Sequence, residues 1–264
     1  MYICAAGDIH GAMNKLYDEV RDFEASLGIR FDFVLHVGDF GIWPDPTKID
    51  KGTRNHGGAG DFPAWLQARR AAPRRTVFIK GNHEDFEWLD AHPGADVLPN
   101  LVYLPNGGTI DLTVDGLESI RIGGIGGCYC PSDYDRYAAE LKGYARRHFT
   151  HDEVERLAHR AQRGCIDIVL THDAPAGVRY TRHRGGEFVS EATGLADVLA
   201  RVQPRVCFFG HHHTRVDREV AGVRCIGLNK ISYPGNLFAI EMMQRDRRWT
   251  ALGEWPVHQL AGFY

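Results

Sequence analysis

The fold of this 264-residue chain can be inferred outward from one stretch, Thr76-Val77-Phe78-Ile79-Lys80-Gly81-Asn82-His83-Glu84. Its first half is β-branched or apolar and predicts a buried strand. The strand pattern stops at a glycine, and an amide, an imidazole and a carboxylate follow at once. Polar groups of this kind directly after a strand indicate a binding or catalytic site.

Four other segments have the same layout, an apolar run followed by nitrogen or oxygen donors. They are Asp8-Ile9-His10, Gly38-Asp39, Thr171-His172-Asp173 and Gly210-His211-His212-His213. In open α/β sheets, sites form at the carboxyl ends of the strands. We therefore expect these five segments to meet at one edge, with donors of the kind that bind transition metals.

Composition excludes few functions. The hydrophobic content of 44% and the charged content of 25% are ordinary for a globular protein. A formal charge of −3 gives no global attraction for nucleic acid or an anionic membrane, although a local basic groove stays compatible with it. The sequence shows no secretory leader pattern and no long apolar run, so we expect a cytoplasmic protein that does not bind a membrane. No feature indicates a protein partner.

The six cysteines are scattered, as expected for reduced thiols rather than a disulfide framework. Cys128-Tyr129-Cys130 is interpreted as a pair of loop thiols, since no second cysteine pair would complete a zinc site. The glycine run 123–127 lacks the helix and the acidic residue of a dinucleotide fingerprint. We interpret it as a flexible or closely packed strand end.

Strand and helix patterns alternate in the first part of the chain. Strands are predicted over 2–6, 31–37 and 76–80, and helices over 13–27, 62–71 and 86–89. Asp61 is the expected cap of the 62–71 helix. Residues 43–60, rich in Pro, Gly and charge, are expected to form a loop or flap over the site.

From residue 101 the pattern changes. Short strands are predicted over 101–104, 109–114 and 117–122, with a hairpin at Asp115-Gly116. Helices are predicted over 133–147, 152–163 and 191–202, the second beginning at a Thr150/Glu153 capping box. Strands follow over 165–170 and 205–209, and a second sheet is expected to take 216–220, 223–228 and 237–240. We predict one domain, 1–264, with a loop insertion at about 43–60 and a helical insertion at about 128–163.

Seven donors stand out among the five segments: Asp8, His10, Asp39, Asn82, His172, His211 and His213. Carboxylates, an amide and imidazoles together fit Mn, Fe or Zn better than Ca or a thiolate site. Seven are too many for one tetrahedral ion. The number suits two ions that share one carboxylate.

In this order and spacing, the five segments resemble the calcineurin-like metallophosphoesterase superfamily. The Gly-His-x-His ending is similar to the branch of phosphodiesterases, nucleases and small-molecule phosphatases. The Ser/Thr phosphoprotein phosphatases carry an Asp and an Arg after their second segment, and residues 38–43 here have neither. The resemblance implies a four-layer α/β/β/α sandwich of two mixed sheets with outer helices.

The resemblance also implies a role for each donor. Asp8, His10, Asp39 and His213 would hold a first metal, and Asp39, Asn82, His172 and His211 a second, with Asp39 bridging. His83 would face the scissile phosphate and protonate the leaving oxygen. The carboxylate that orients His83 is left open between Glu84 and Asp45, and His212 is expected to point away from the metals.

The expected function is hydrolysis of a phosphoester by a two-metal centre. Two ions roughly 3.5–4 Å apart would flank a bridging water, lower its pKa and clamp the phosphate for in-line attack. Manganese is the preferred ion, with iron, zinc and nickel as alternatives. The favoured substrate is a phosphodiester of nucleotide type, a nucleotide or an oligonucleotide. The alternatives are a phosphomonoester of a small metabolite or phosphoprotein, and an inactive scaffold.

Two basic segments have open interpretations. Arg179, Arg182, His183 and Arg184 lie in a basic loop that either grips a phosphate or is a solvated surface. Residues 134–147 combine tyrosines with arginines, a composition that either stacks a nucleobase or simply packs.

Overall fold

The structure is a computed structural model, and it describes residues 1–94, 96–181, 186–243 and 248–256. The strands are β1 (Tyr2–Ala6), β2 (Phe33–His36), β3 (Arg75–Phe78), β4 (Asp96–Leu98), β5 (Leu101–Tyr103), β6 (Gly108–Leu112), β7 (Ile120–Ile125), β8 (Ile168–Thr171), β9 (Arg179–Thr181), β10 (Glu187–Val189), β11 (Val206–Phe209), β12 (Val216–Val220), β13 (Val223–Gly227), β14 (Leu237–Met242) and β15 (Trp249–Trp255). The α-helices are α1 (Met13–Leu27), α2 (Lys51–Asn55), α3 (Phe62–Gln67), α4 (Phe86–Asp90), α5 (Pro131–Tyr134), α6 (His151–Ala161) and α7 (Thr193–Val202).

Two large mixed sheets contain most of the strands. The first has the order β15-β14-β1-β2-β3-β5-β4, and its central strands β1, β2, β3 and β5 are parallel. The second has the order β12-β13-β11-β8-β7-β6, with β13, β11, β8 and β7 parallel. A separate antiparallel pair, β9 and β10, stands apart from both. The parallel strands of each sheet therefore end at a common edge, where sites form.

The two sheets pack face to face, and helices cover their outer faces. Strand β1 shows the arrangement, because successive side chains point to opposite faces. Ile3 and Ala5 are buried against the second sheet, in a core that also contains Ile168 and Phe208. The alternate residues of β1 pack with Leu16 and other residues of α1, α3 and α4. Helices α6 and α7 form a third core on the far face of the second sheet.

These layers confirm the predicted four-layer α/β/β/α sandwich. That residues 1–264 make up a single domain stays a prediction. Among the described residues, no helix has the length and apolar composition that a membrane span needs.

The helix predicted over 133–147 is wrong. This segment contains the short α5 and two 3₁₀ turns, Ala138–Glu140 and Gly143–Arg147. Its charged and tyrosine side chains form no continuous apolar face, so no packing stabilises a longer helix. The helix after it is confirmed. Thr150 donates its backbone N–H to Glu153 Oε2 at 3.0 Å, and α6 begins at the next residue.

One strand was predicted in the wrong sheet. Residues 237–240 belong to β14, which lies in the first sheet, antiparallel to β1, with Ile3 opposite Ile240. An apolar run predicts a strand but not its neighbours, because pairing is decided by contacts distant in sequence. The sequence also gave no sign of β4 or β15.

The 43–60 segment is an ordered flap rather than a plain loop. It holds a 3₁₀ turn, Pro46–Lys48, and helix α2. Asp45 Oδ1 accepts the Thr47 N–H at 2.9 Å, and Asp50 Oδ1 accepts the Thr53 N–H at 2.6 Å. Both aspartates thus serve as helix caps.

Asp61 does not cap α3, as predicted, because its side chain makes no capping hydrogen bond there, and α3 ends at Gln67 rather than at residue 71. Instead, Asp61 Oδ2 accepts the backbone N–H of Asn14 at 2.8 Å. This carboxylate therefore satisfies a free donor in the first turn of α1.

We expect Asp61→Ala to lower the free energy of unfolding by about 1 kcal/mol, as for other lost helix caps. Urea denaturation followed by circular dichroism measures the loss. Asp18→Ala is the matched control. It removes an exposed carboxylate from α1, the helix whose first turn Asp61 caps, and should change stability less. Equal stability of Asp61→Ala and the wild type would contradict the capping role.

Candidate metal centre

The seven predicted donors come together at the carboxyl ends of both sheets. The first sheet supplies Asp8 and His10 after β1, Asp39 after β2, and Asn82 after β3. The second supplies His172 after β8, and His211 and His213 after β11. Contacts between residues about 200 positions apart link the two halves. His10 Nε2 lies 3.1 Å from His213 Nε2, and His213 Nε2 lies 3.1 Å from Asp8 Oδ2.

These donors form two adjoining groups. Donor atoms of Asp8, His10 and His213 lie within 4.8 Å of one another, and so do those of Asp8, Asp39 and His172. Asp8 belongs to both groups, and Asp39 links the second group to the first, with Oδ2 3.8 Å from His10 Nδ1 and Oδ1 3.5 Å from His172 Nε2. The Asp39 carboxylate therefore has the position that a bridging ligand needs.

The donor set fits divalent cations. His10 Nδ1 is buried and has no hydrogen-bond partner among the described residues. A buried polar atom of this kind is costly unless something else satisfies it. Ligands that share one ion at about 2.1 Å lie roughly 3 to 3.5 Å apart. His172 Nε2 and Asn82 Oδ1, 2.9 Å apart, are close to that range, as is the His10–His213 pair.

Two motif glycines allow the backbone to approach the carboxylates closely. A Cβ on Gly81 would lie 2.0 Å from Asp39 Oδ1, and one on Gly210 would lie 2.2 Å from Asp8 Oδ1. Because Gly81 leaves this space, Asp39 Oδ1 accepts the N–H groups of Asn82 and His83 at 2.6 and 2.9 Å. The glycines are therefore part of the site.

Four of the donors have left-handed backbone conformations. His10, Asp39, His211 and His213 have φ values of 46°, 52°, 67° and 50°. Such conformations cost about 1–3 kcal/mol each for residues with a side chain and cluster at functional sites. These four side chains therefore point toward a common site although their backbone conformations are locally unfavourable.

The charges of the two carboxylates are stabilised by the imidazoles around them. Burial opposes ionisation of Asp8, but the hydrogen bond with His213 and the charges of neighbouring imidazoles outweigh it and hold its pKa well below the usual value. Burial also opposes ionisation of Asp39, where His172 and His10 outweigh it and lower the pKa. Both side chains are therefore anionic at neutral pH, as metal ligands must be.

Burial favours the neutral form of two of the imidazoles. It lowers the pKa of His10 and of His211 to about 4. In the unfolded chain the pKa of such imidazoles is near 6.5. The unfolded state therefore holds more protons between these values, so stability is lost as the pH falls from about 6.5 to about 4.

We expect His211→Gln to flatten this pH dependence in chelator-treated protein, since it removes one of the imidazoles whose pKa burial lowers. The full shift corresponds to at most about 3 kcal/mol for each imidazole. Urea unfolding at several pH values measures the slope, and His159→Gln, at an exposed position of α6, serves as the control. The wild-type slope in His211→Gln would refute the assignment.

His83 lies beside the donors, and its ring is oriented by the flap. Its Nδ1 is 3.5 Å from Asp50 Oδ1 and 3.4 Å from Thr53 Oγ1. Neither candidate from the sequence, Glu84 or Asp45, occupies this position. Asp45 caps the 3₁₀ turn, and Asp50 was missed because the flap has no strand or helix pattern that would place it.

Glu84 has a structural role instead. Its carboxylate is buried and accepts the backbone N–H groups of Phe40, Gly41 and Ile42 at 2.8, 3.1 and 2.6 Å. Burial and the charge of Asp39 raise the pKa of Glu84 to about 8, against the effect of these donors. The side chain fixes the turn that carries Asp39.

Replacing Glu84 by Gln should destabilise the protein by about 2–3 kcal/mol, because an amide NH₂ would face N–H donors that lose their acceptor. Thermal and urea unfolding of the chelator-treated protein measure the change. Glu87→Gln, at an exposed position of α4, is the control. If the two variants are equally stable, the turn does not depend on this carboxylate.

Other side chains extend the site. His56 of the flap stacks on His10, with ring centroids 4.1 Å apart, so the flap covers part of the donors as expected. His212 is hydrogen-bonded through Nε2 to Asp173 Oδ1 at 2.9 Å and stacks on Tyr180. Arg182, His183 and Arg184 lie outside the described residues.

Cys128 was predicted to be a loop thiol and is found at the site. Its Sγ lies 3.3 Å from Asn82 Oδ1 and 3.6 Å from both ring nitrogens of His211. Only its place after a strand of the second sheet could have indicated this. That strand end is closely packed, since a Cβ on Gly126 would lie 2.2 Å from the Lys80 carbonyl oxygen.

Comparison with known proteins agrees with this geometry. Residues 1–215 match the family model of the calcineurin-like phosphoesterases. The chain belongs to this family, a class of phosphoester hydrolases that bind divalent metals.

Among curated proteins, the chain is similar to lariat debranching enzymes. That of Entamoeba histolytica is 25% identical over 283 residues, covering 97% of this chain and 78% of the relative. Those of Schizosaccharomyces pombe and Drosophila pseudoobscura are 29% and 28% identical, over 81% of this chain. The chain spans only 48% and 43% of the length of these two relatives.

Solved structures share the fold. One of matching length has a TM-score of 0.58 at 12% identity, covering 95% of this chain and 97% of the other. GAP50 of Plasmodium has a TM-score of 0.51 at 12% identity, covering 95% and 78%. At such identities the likeness concerns the fold alone.

Proposed function

We propose that this protein is a two-metal phosphodiesterase that cleaves a nucleic-acid phosphodiester, with the branch bond of a lariat as its preferred substrate. The observation that supports this most strongly is the meeting of seven nitrogen and oxygen donors, arranged in two groups around the buried Asp39. The similarity to lariat debranching enzymes supports the choice of substrate class.

The two groups would hold two divalent ions. Asp8, His10, Asp39 and His213 would bind the first. Asp39, Asn82, His172 and His211 would bind the second. When bound, the ions supply an activated water and neutralise charge on the phosphate oxygens. We propose manganese as the ion preferred by the first group, which contains two carboxylates, with iron, zinc and nickel as alternatives.

His83 would act as the general acid. Asp50 and Thr53 contact Nδ1, so Nε2 would be the ring nitrogen that faces the substrate. A proton on Nε2 can then pass to the leaving oxygen as the ester bond breaks. Asp50 is a positioning residue in this scheme, since it acts on the substrate only through His83.

A cleft beside the flap suits a nucleic acid strand. It has a volume of about 430 Å³. Its lining includes Trp43, Lys48, Tyr144 and Arg146 and, on the same cleft, the acidic side chains of Asp50, Asp85 and Glu87. Tyr144 is 51% exposed, and the guanidinium of Arg147 lies 3.9 Å from its ring centroid. An exposed aromatic face next to cationic groups can stack a nucleobase and contact the backbone phosphates.

Turnover tests the catalytic assignments. His83→Ala should lower kcat on an aryl phosphodiester with added manganese by about 10²–10⁴-fold. Asp39→Asn, which weakens both metal positions, should abolish turnover. Asp50→Asn should lower kcat less, and should have no further effect in the His83→Ala background, because it works through that ring. Full activity of Asp39→Asn would disprove the two-metal assignment.

A comparison of substrates distinguishes the proposed phosphodiesterase from a phosphomonoesterase and from an inactive scaffold. We expect a branched oligonucleotide to be cleaved with higher kcat/KM than a linear oligonucleotide or a nucleoside monophosphate. Preference for the monophosphate would identify a phosphomonoesterase. Metal analysis should find about two ions per chain, and metal-free, inactive protein would favour a scaffold. The cytoplasmic location stays a prediction.

A further inference from the structure

Cys128 occupies a defined position at the second group of donors. It follows β7, a strand of the second sheet that is parallel to the strand carrying His172. Its N–H donates to the Arg147 carbonyl oxygen at 2.9 Å, and its own carbonyl accepts the Phe149 N–H at 3.3 Å. The thiol is therefore held by backbone hydrogen bonds on both sides.

Lys80 holds the segment that contains Cys128 through further hydrogen bonds. Its ammonium group donates to the carbonyl oxygens of Arg146 and His148 at 2.7 and 3.3 Å, and its own carbonyl oxygen accepts the Gly127 N–H at 3.0 Å. One buried side chain thus ties the segment containing Cys128 to the strand that ends in the Asn82 motif. These hydrogen bonds fix the position of the sulfur.

The distances around Sγ match those between ligands of one ion. With a metal–sulfur bond of about 2.3 Å and a metal–nitrogen bond of about 2.05 Å, the angles of about 90° to 120° at a five-coordinate ion separate sulfur and nitrogen by about 3.1 to 3.8 Å. Sγ lies 3.6 Å from His211 Nδ1 and Nε2. Cys128, His172 and His211 also have donor atoms within 4.8 Å of one another.

We propose that Cys128 is a further ligand of the second metal, and that its sulfur makes that position select zinc or iron(II) over manganese. The inference rests on the proposed two-metal centre and refines it. On metal uptake the thiol proton passes to solvent and the thiolate forms the bond. The first position, with two carboxylates and two imidazoles, keeps harder donors, so the centre would hold two different ions.

Cobalt(II) reports a thiolate ligand directly. We expect the cobalt-loaded wild type to show a thiolate-to-cobalt charge-transfer absorption band that Cys128→Ser lacks. Cys130→Ser is the matched control and should keep the band. Because Cys130, Asp133 and His148 also have donor atoms within 4.8 Å of one another, the effect of Cys128→Ser is measured in the Cys130→Ser background. A band that survives in Cys128→Ser, or no band in wild type that has bound two cobalt ions, would overturn the proposal.

Metal competition supplies a second measure. In mixtures of zinc and manganese, Cys128→Ser should lose zinc selectivity at one position by about 10-fold or more, while Cys130→Ser should not. If Cys128→Ser does not fold, X-ray absorption of the zinc-loaded wild type replaces it. One sulfur neighbour per pair of ions at about 2.3 Å is expected, and none would refute the ligand.

The same measurements keep the two proposals apart. Wild-type protein that binds no cobalt, zinc or manganese would refute the two-metal centre, and the cysteine ligand with it. Two bound ions and an active enzyme without a sulfur ligand would refute only the role of Cys128.

Discussion

The carboxylate of Asp39 is the group on which the rest of the site depends. It is 1% exposed and lies between His10 and His172, so one of its oxygens faces an imidazole of each proposed metal position. Oδ1 also accepts two backbone N–H groups from the strand turn that carries Asn82 and His83. A buried anion of this kind is tolerated only where opposite charge and donors surround it. The same carboxylate thus orders the loop and prepares a place for cations.

The sandwich brings the two halves of the site together. The first sheet supplies the carboxylates and the amide, and the second supplies three of the four proposed histidine ligands. Neither sheet alone holds a complete group, since Asp8 needs His213 and Asn82 needs His172. The apolar core between the sheets, which includes Ile3, Leu35 and Phe208, therefore fixes the distance between donors. Site geometry and core packing are linked in this fold.

The flap supplies side chains that contact His83 and His10 and are not proposed metal ligands. Asp50 and Thr53 contact His83, and His56 stacks on His10. The flap is held by its own helix caps, and the turn opposite it by Glu84. The left-handed backbone of four donors and the hydrogen-bonded turns around them together set the directions of the donor side chains.

The sequence by itself indicated the strand ends and the seven candidate donors, because apolar runs and the polar residues that follow them are local features of the chain. The four-layer fold was implied by the family resemblance that the order of the motifs carries. The tertiary structure decided which carboxylate faces His83, which thiol enters the site, and which sheet takes β14. Asp50, Cys128 and Leu237–Met242 all acquire their neighbours through contacts between residues far apart in sequence. Such contacts depend on packing and hydrogen bonding in three dimensions, and no local pattern encodes them.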